Sequence, residues 1–153
     1  MKIIIDTNIV FSVLLNTSSR VGDLLLNSDT VFEFYTCNLL KEEIVNHQDK
    51  LLKISGYTEN HFATLCHIVF GKIKFISEDI IPFVYWHSAL PIVRDVDIDD
   101  IAFVALNDLL GAKLWTGDKK LLEGIRAKGY ANALSTEELS NLRNLLDNKD
   151  IDI

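Results

Sequence analysis

The sequence predicts an α/β fold built on a parallel sheet. Three observations predict it. The chain opens on Ile3-Ile4-Ile5, three β-branched apolar residues in a row, the pattern of a short strand buried on both faces. Short apolar runs recur at 31–36, 72–76, 113–116 and 131–134, separated by stretches of helical pattern. No repeat or linker interrupts them, so 1–146 reads as a single domain and 147–153 as a polar, fraying tail.

The elements follow in order. Ile9–Leu15 are apolar apart from Ser12 and start a helix directly after the first strand. Thr17, Ser18 and Ser19 supply a break and an N-cap for a second helix through Asn27, with Val21, Leu24, Leu25 and Ser28 on its inward stripe. Val31–Thr36, rich in aromatic and β-branched residues, is the second strand. Asn38 caps a long helix from Leu39 to Ser55, stopped by Gly56. Thr58 caps another, from Glu59 to about Val69, ending near Gly71, and Lys72–Ile76 is the third strand. Residues 79–90 carry no single pattern, because Pro82 breaks any long helix and Pro91 closes the segment. Asp97–Leu110 is apolar nearly all round after an acidic start and reads as a buried helix stopped by Gly111. Lys113–Thr116 is the fourth strand, Lys119–Lys128 a helix closed by Gly129, and Ala131–Leu134 the fifth strand. Ser135 and Glu138 form a capping box for the last helix, through about Leu146.

Composition narrows the class. Hydrophobic residues make up 48% of the chain, which excludes disorder. No apolar run approaches the roughly 20 residues that span a bilayer, and Asp6 interrupts the first apolar stretch, unlike a secretory signal. A soluble cytoplasmic protein without membrane contact is expected. Cys37 and Cys66 are too few for a disulfide framework and are expected reduced and buried. His47, His61, His67 and His87 show no metal-binding spacing, so ordinary roles are expected. The formal net charge of −7 argues against coating nucleic acid by bulk attraction. It leaves room for a nuclease, whose metal ions restore positive charge locally.

Four acidic positions stand out. Asp6 ends the first strand, where a desolvated carboxylate is costly unless something pairs with it. Asp118 follows the fourth strand; it can cap the helix from Lys119, but it shares the strand-end environment of Asp6. Glu43 shares its helical stripe with Leu39, Leu40 and His47 and faces inward, whereas Glu42 faces water. Among Asp95, Asp97, Asp99 and Asp100, helix-dipole preference alone accounts for the first three. Asp100 is followed at once by Ile101-Ala102-Phe103-Val104-Ala105, and Asp97 shares its face. Several carboxylates with Asn8, without Cys or His, suit a hard cation such as Mg²⁺ or Mn²⁺.

These residues carry a resemblance. Ile4-Ile5-Asp6-Thr7-Asn8, the helix with Glu43 before Ile44, Asp97–Ala105, and Gly111-Ala-Lys-Leu-Trp-Thr116-Gly117-Asp118 occur in the order and rough spacing of the PIN domain, over residues 3–134. The PIN domain is a nuclease-like family that includes toxins of toxin–antitoxin pairs. The resemblance implies a three-layer α/β/α sandwich with a central parallel sheet, an acidic pocket for one or two Mg²⁺ or Mn²⁺ ions, and metal-dependent ribonuclease activity. Asp6, Glu43, Asp100 and Asp118 would form the catalytic quartet, with Asp6, Asp100 and Asp118 as metal ligands. Asn8 and Thr116 would be polar supports and Asp97 an extra acid; whether Asp97 or Asp100 touches metal stays open. Trp115 departs from the smaller residue usual there, and residues 72–94 match poorly. A homodimer and a cognate antitoxin are the protein partners implied.

Arg20, Arg94, Lys119 and Lys120 are candidates for RNA phosphate contacts. Two rival readings carry different chemistry. One is a non-catalytic binding or regulatory protein that keeps the fold; the intact acidic set argues against it. The other is an Asp-based phosphotransfer domain. A phosphatase of that kind needs a second Asp at the position of Asn8, and neither that scheme nor a receiver domain needs Asp118.

Overall fold

Three β-branched residues in a row fit only a strand covered on both sides, and β1 (Lys2–Ile5) is the middle strand of the sheet, with Ile3, Ile4 and Ile5 fully buried. The computed structural model describes residues 1–151, with side chains through Lys149. β1 pairs in parallel with β2 (Glu33–Cys37) on one side and β4 (Lys113–Trp115) on the other. β3 (Ile73–Ile76) extends the sheet beyond β2, and β5 (Ala133–Leu134) extends it beyond β4. The order is β3-β2-β1-β4-β5, parallel throughout.

The alternation of β1 side chains divides the core. Ile3 and Ile5 pack with α1 (Thr7–Leu15), α2 (Arg20–Leu26), α3 (Leu39–Asn46), α4 (Gln48–Ser55), α5 (Glu59–Phe70) and α9 (Thr136–Ile151). Ile4 packs on the other face, against α6 (Phe83–Val93), α7 (Ile101–Leu110) and α8 (Lys119–Ala127). This is the expected three-layer sandwich. Cys37 is buried as expected, while Cys66 is only partly covered. No helix among the described residues is long and apolar enough to cross a membrane; α1 and α2 are apolar together but bent by 108°.

Several elements differ from the sequence reading. The helix expected over 39–55 breaks at His47, whose backbone leaves the helical region (φ −106°, ψ 10°) while its ring Nδ1 takes the Glu43 carbonyl at 2.8 Å. Residues 79–90, without a single pattern in sequence, resolve into a 3₁₀ turn (Glu78–Ile80) and α6. Pro82 does not break α6 but precedes its first turn, where a missing N–H costs nothing. Pro91 lies inside the last turn, and Lys128 Nζ donates to the carbonyls of Pro91 and Ile92 and pairs with Asp95. The helix expected from Asp97 begins as a 3₁₀ turn (Ile98–Asp100) before α7, which Gly111 ends in the left-handed conformation (φ 59°). α9 continues past Leu146 to Ile151, so the residues expected as a tail from Asp147 enter this helix; Asp152 and Ile153 lie outside the described residues.

Gly124 on α8 positions the acidic segment. A Cβ there would lie 2.7 and 2.8 Å from the two γ-carbons of Val96, directly before Asp97. Val is β-branched and stiff, so Val96 has little room to turn aside. Gly124→Ala gains up to about 1 kcal/mol of helix propensity but should still lose stability, by about 1–2 kcal/mol net. Thermal melts check this: the expected outcome is a drop of several degrees for Gly124→Ala, recovered when Val96→Ala is added. A Gly124→Ala chain more stable than the parent would show that the contact is slack.

Candidate active site

Asp6 and Asp118 are set side by side by strand register. Ile5 lies opposite Trp115 in the β1–β4 pair, and each acid follows its strand within three residues at the carboxyl edge of the sheet. The strand order turns there: β2 and β3 lie to one side of β1, β4 and β5 to the other. Parallel α/β sheets bind ligands outside such a switch point. Both acids are also N-caps. Asp6 Oδ1 accepts from Ile9 N at 3.1 Å and opens α1; Asp118 Oδ1 accepts from Leu121 N at 3.1 Å and opens α8. Capping occupies one oxygen of each carboxylate and leaves the other to be satisfied elsewhere. Thr116, 2% exposed, accepts from Asp118 N at 3.0 Å.

The other acids arrive from helices. Glu43 is half-buried on α3 and Glu42 exposed, as the helical stripe predicts. Asp97 is half-buried and accepts from Asp99 N at 3.1 Å, capping the 3₁₀ turn that carries Asp100, also half-buried. The fields of these groups overlap. Burial pushes the Asp6 carboxyl up to about 6; the Thr116 hydroxyl and the Ile9 amide pull it back, and the charges of Asp118 and Glu43 raise it again. Burial pushes Asp100 up to about 8, reinforced by Asp6, Asp97, Asp118 and Glu43.

Asp6 Oδ2 is buried and meets no partner with hydrogen-bonding geometry, even though the Thr116 hydroxyl lies near enough to favour the charged form. A buried carboxylate oxygen without a partner is costly. An oxygen-seeking cation would satisfy it, and the all-oxygen donor set fits Mg²⁺ or Mn²⁺. No group of three or more His, Cys, Asp or Glu side chains among the described residues is already arranged to hold an ion. The residues present fit the metal in donor chemistry, and Asp6, Glu43, Asp100 and Asp118 lie near enough for their charges to interact.

A cavity of about 360 Å³ opens beside these acids, lined by Asn8, Glu43, Asp97, Asp99 and Asp100 among others. Asp6 and Asp118 couple to it electrostatically but do not line it. Arg94, Lys119 and Lys120 are exposed within a few residues of the acids, and Lys119 lies 3.9 Å from Glu123. Arg20 opens α2, beyond the far end of α1, about 13 Å of helix from Asp6. Sequence reading missed Phe11, His47 and Thr7, which also line the cavity. His47 was legible as the stripe neighbour of Glu43, four residues on; Phe11 and Thr7 were masked by the apolar run of α1.

The sequence matches the PIN domain family over residues 4–145, and the chain belongs to that family, whose members are generally nucleases. Its structure is similar to the crystal structure of VapBC2 from Rickettsia felis bound to a DNA fragment from their promoter, with a TM-score of 0.63 and 14% identity, covering 88% of this chain and 97% of that one. At that identity the likeness is one of fold. No curated protein sequence matches the chain.

The raised carboxyls set the direction of pH dependence without metal. Asp6 and Asp100 titrate above their ordinary value of 3.8. Their stability contribution is therefore complete below about pH 4 and is lost as pH climbs through about 6 and about 8. In EDTA the melting temperature should fall between pH 5 and pH 8. Asn caps a helix as well as Asp, so Asp6→Asn should keep α1 capped and raise stability at pH 8 by about 1–3 kcal/mol. Melts of both chains across that range check this; a large loss for Asp6→Asn in EDTA would make Asp6 a purely structural residue.

Proposed function

We propose that this PIN-domain protein is a Mg²⁺- or Mn²⁺-dependent endoribonuclease and the toxin of a toxin–antitoxin pair. The observation that carries the proposal is the Asp6 carboxylate, buried with one oxygen unpartnered where Glu43, Asp100 and Asp118 converge. Family membership supports nuclease chemistry. RNA as substrate and a cognate antitoxin follow from the toxin members of the family that the sequence motifs resemble. Cytoplasmic location and a homodimer belong to the same reading.

Asp6, Asp100 and Asp118 would hold the ion. When bound, it supplies charge neutralisation at the phosphate and a lowered pKa for water. The chain's own residues do the rest. Glu43, half-buried on the cavity wall, takes a proton from the attacking water. Asn8, exposed in the first turn of α1, donates from its side-chain amide to a phosphate oxygen. Thr116 fixes the backbone at Asp118, and Asp97 holds the turn that presents Asp100. Exposed Arg94, Lys119 and Lys120 contact phosphates outside the cleavage point, and Arg20 would reach RNA only at the far end of α1.

The test is cleavage of a mixed pool of single-stranded and structured RNA with Mn²⁺ or Mg²⁺ added and then chelated. Cutting should require metal and should drop by at least about a hundredfold in the Asp6→Asn/Asp118→Asn chain, a loss of the size seen when charge-stabilising groups are removed. A folded, metal-binding wild type that cuts no RNA would favour the non-catalytic binding reading instead.

A further inference from the structure

The cavity beside the acids has a second wall that metal chemistry does not use. Phe11, on α1, and His47, between α3 and α4, both line it. Their ring centroids are 5.5 Å apart and inclined at 62°. Phe11 is partly buried against the core; His47 is exposed. An exposed side chain ordinarily samples several rotamers. The His47 ring is instead held at two points, by the edge contact with Phe11 and by Nδ1 at 2.8 Å from the Glu43 carbonyl. A carbonyl only accepts, so Nδ1 carries the proton. Thr7, 5% exposed with its hydroxyl unpartnered, lines the same cavity.

No Lys or Arg is among the described residues lining this cavity. Beyond any bound cation, the chain's own contacts to a nucleic acid there are not ion pairs. Aromatic rings supply another kind of contact, since every nucleobase has a stacking face and such contacts hold single strands with little sequence preference. A cavity of about 360 Å³ is of the size that holds a small ligand, roughly 300–1,000 Å³.

We propose that Phe11 and His47 form a stacking wall for the nucleobase next to the cleaved phosphate, making His47 a substrate-positioning residue. The proposal rests on the nuclease reading above and deepens it. It ties base to acid through one carbonyl: the ring that would meet the base is bonded to the residue that carries the Glu43 carboxylate.

The probe is a single-stranded oligoribonucleotide carrying 2-aminopurine at successive positions, added with Mg²⁺ to the Asp118→Asn chain so that it stays intact. One position should be quenched on binding. His47→Ala in that background should abolish the quench and weaken binding by about tenfold, within the range for loss of one base–aromatic stack. His47→Phe should preserve both. On the otherwise wild-type chain, His47→Ala should raise KM for single-stranded RNA and leave kcat within a few-fold. His47→Ala with unchanged affinity and quench overturns the wall, whether or not the wild type cuts RNA. A quench that depends on His47 in a protein that cuts no RNA keeps the wall and removes the nuclease reading. A chain that binds no oligonucleotide overturns the wall directly.

Discussion

Burial of one carboxylate at the end of the central strand is the constraint on which the candidate site depends. Asp6 is 2% exposed, and the residues around it can satisfy only part of its hydrogen-bonding capacity. A polar group in that position must be met by something of opposite charge or remain a cost to the fold. The Thr116 hydroxyl and the Ile9 amide offset part of that cost, but the neighbouring acids Asp118 and Glu43 add charge of the same sign. Such an arrangement is poor as packing and coherent as a cation site. The metal-free fold therefore stores unfavourable electrostatics where the chemistry is proposed to occur.

The same carboxylates hold the backbone. Asp6, Asp97 and Asp118 each give one oxygen to a helix or turn N-terminus. Capping fixes side-chain direction without consuming the second oxygen. It thus orients candidate ligands using interactions that the isolated helices want anyway. The reading of Asp118 as a helix cap and its reading as part of an acidic site are compatible for this reason.

The acidic turn before α7 is held from outside the sheet. Lys128 at the end of α8 gathers the last carbonyls of α6 and the Asp95 carboxylate, and Gly124 lets Val96 lie directly on α8. These contacts set where the chain enters the turn of Asp97 and Asp100. They lie on the face of the sheet opposite α1 and α3, so the acids reach the switch point from both layers.

Local chemistry made much of this legible in the sequence. Ile3-Ile4-Ile5 specified a doubly buried strand, and it is the centre of the sheet. The inward stripe of the third helix separated Glu43 from Glu42, because helical periodicity is a local property. Long-range placement was beyond it. The strand order, which brings Asp118 beside Asp6 although they lie 112 positions apart in the chain, follows from β4 pairing with β1. At the break His47 sets its ring against Phe11, a contact between distant segments. Lys128 meets the carbonyls of Pro91 and Ile92, which the end of the helix leaves without intrahelical partners. Sequence by itself determined which residues seek burial and which helix ends need caps. Tertiary structure alone decided which acids share a field, since that depends on strand order and on packing between distant segments.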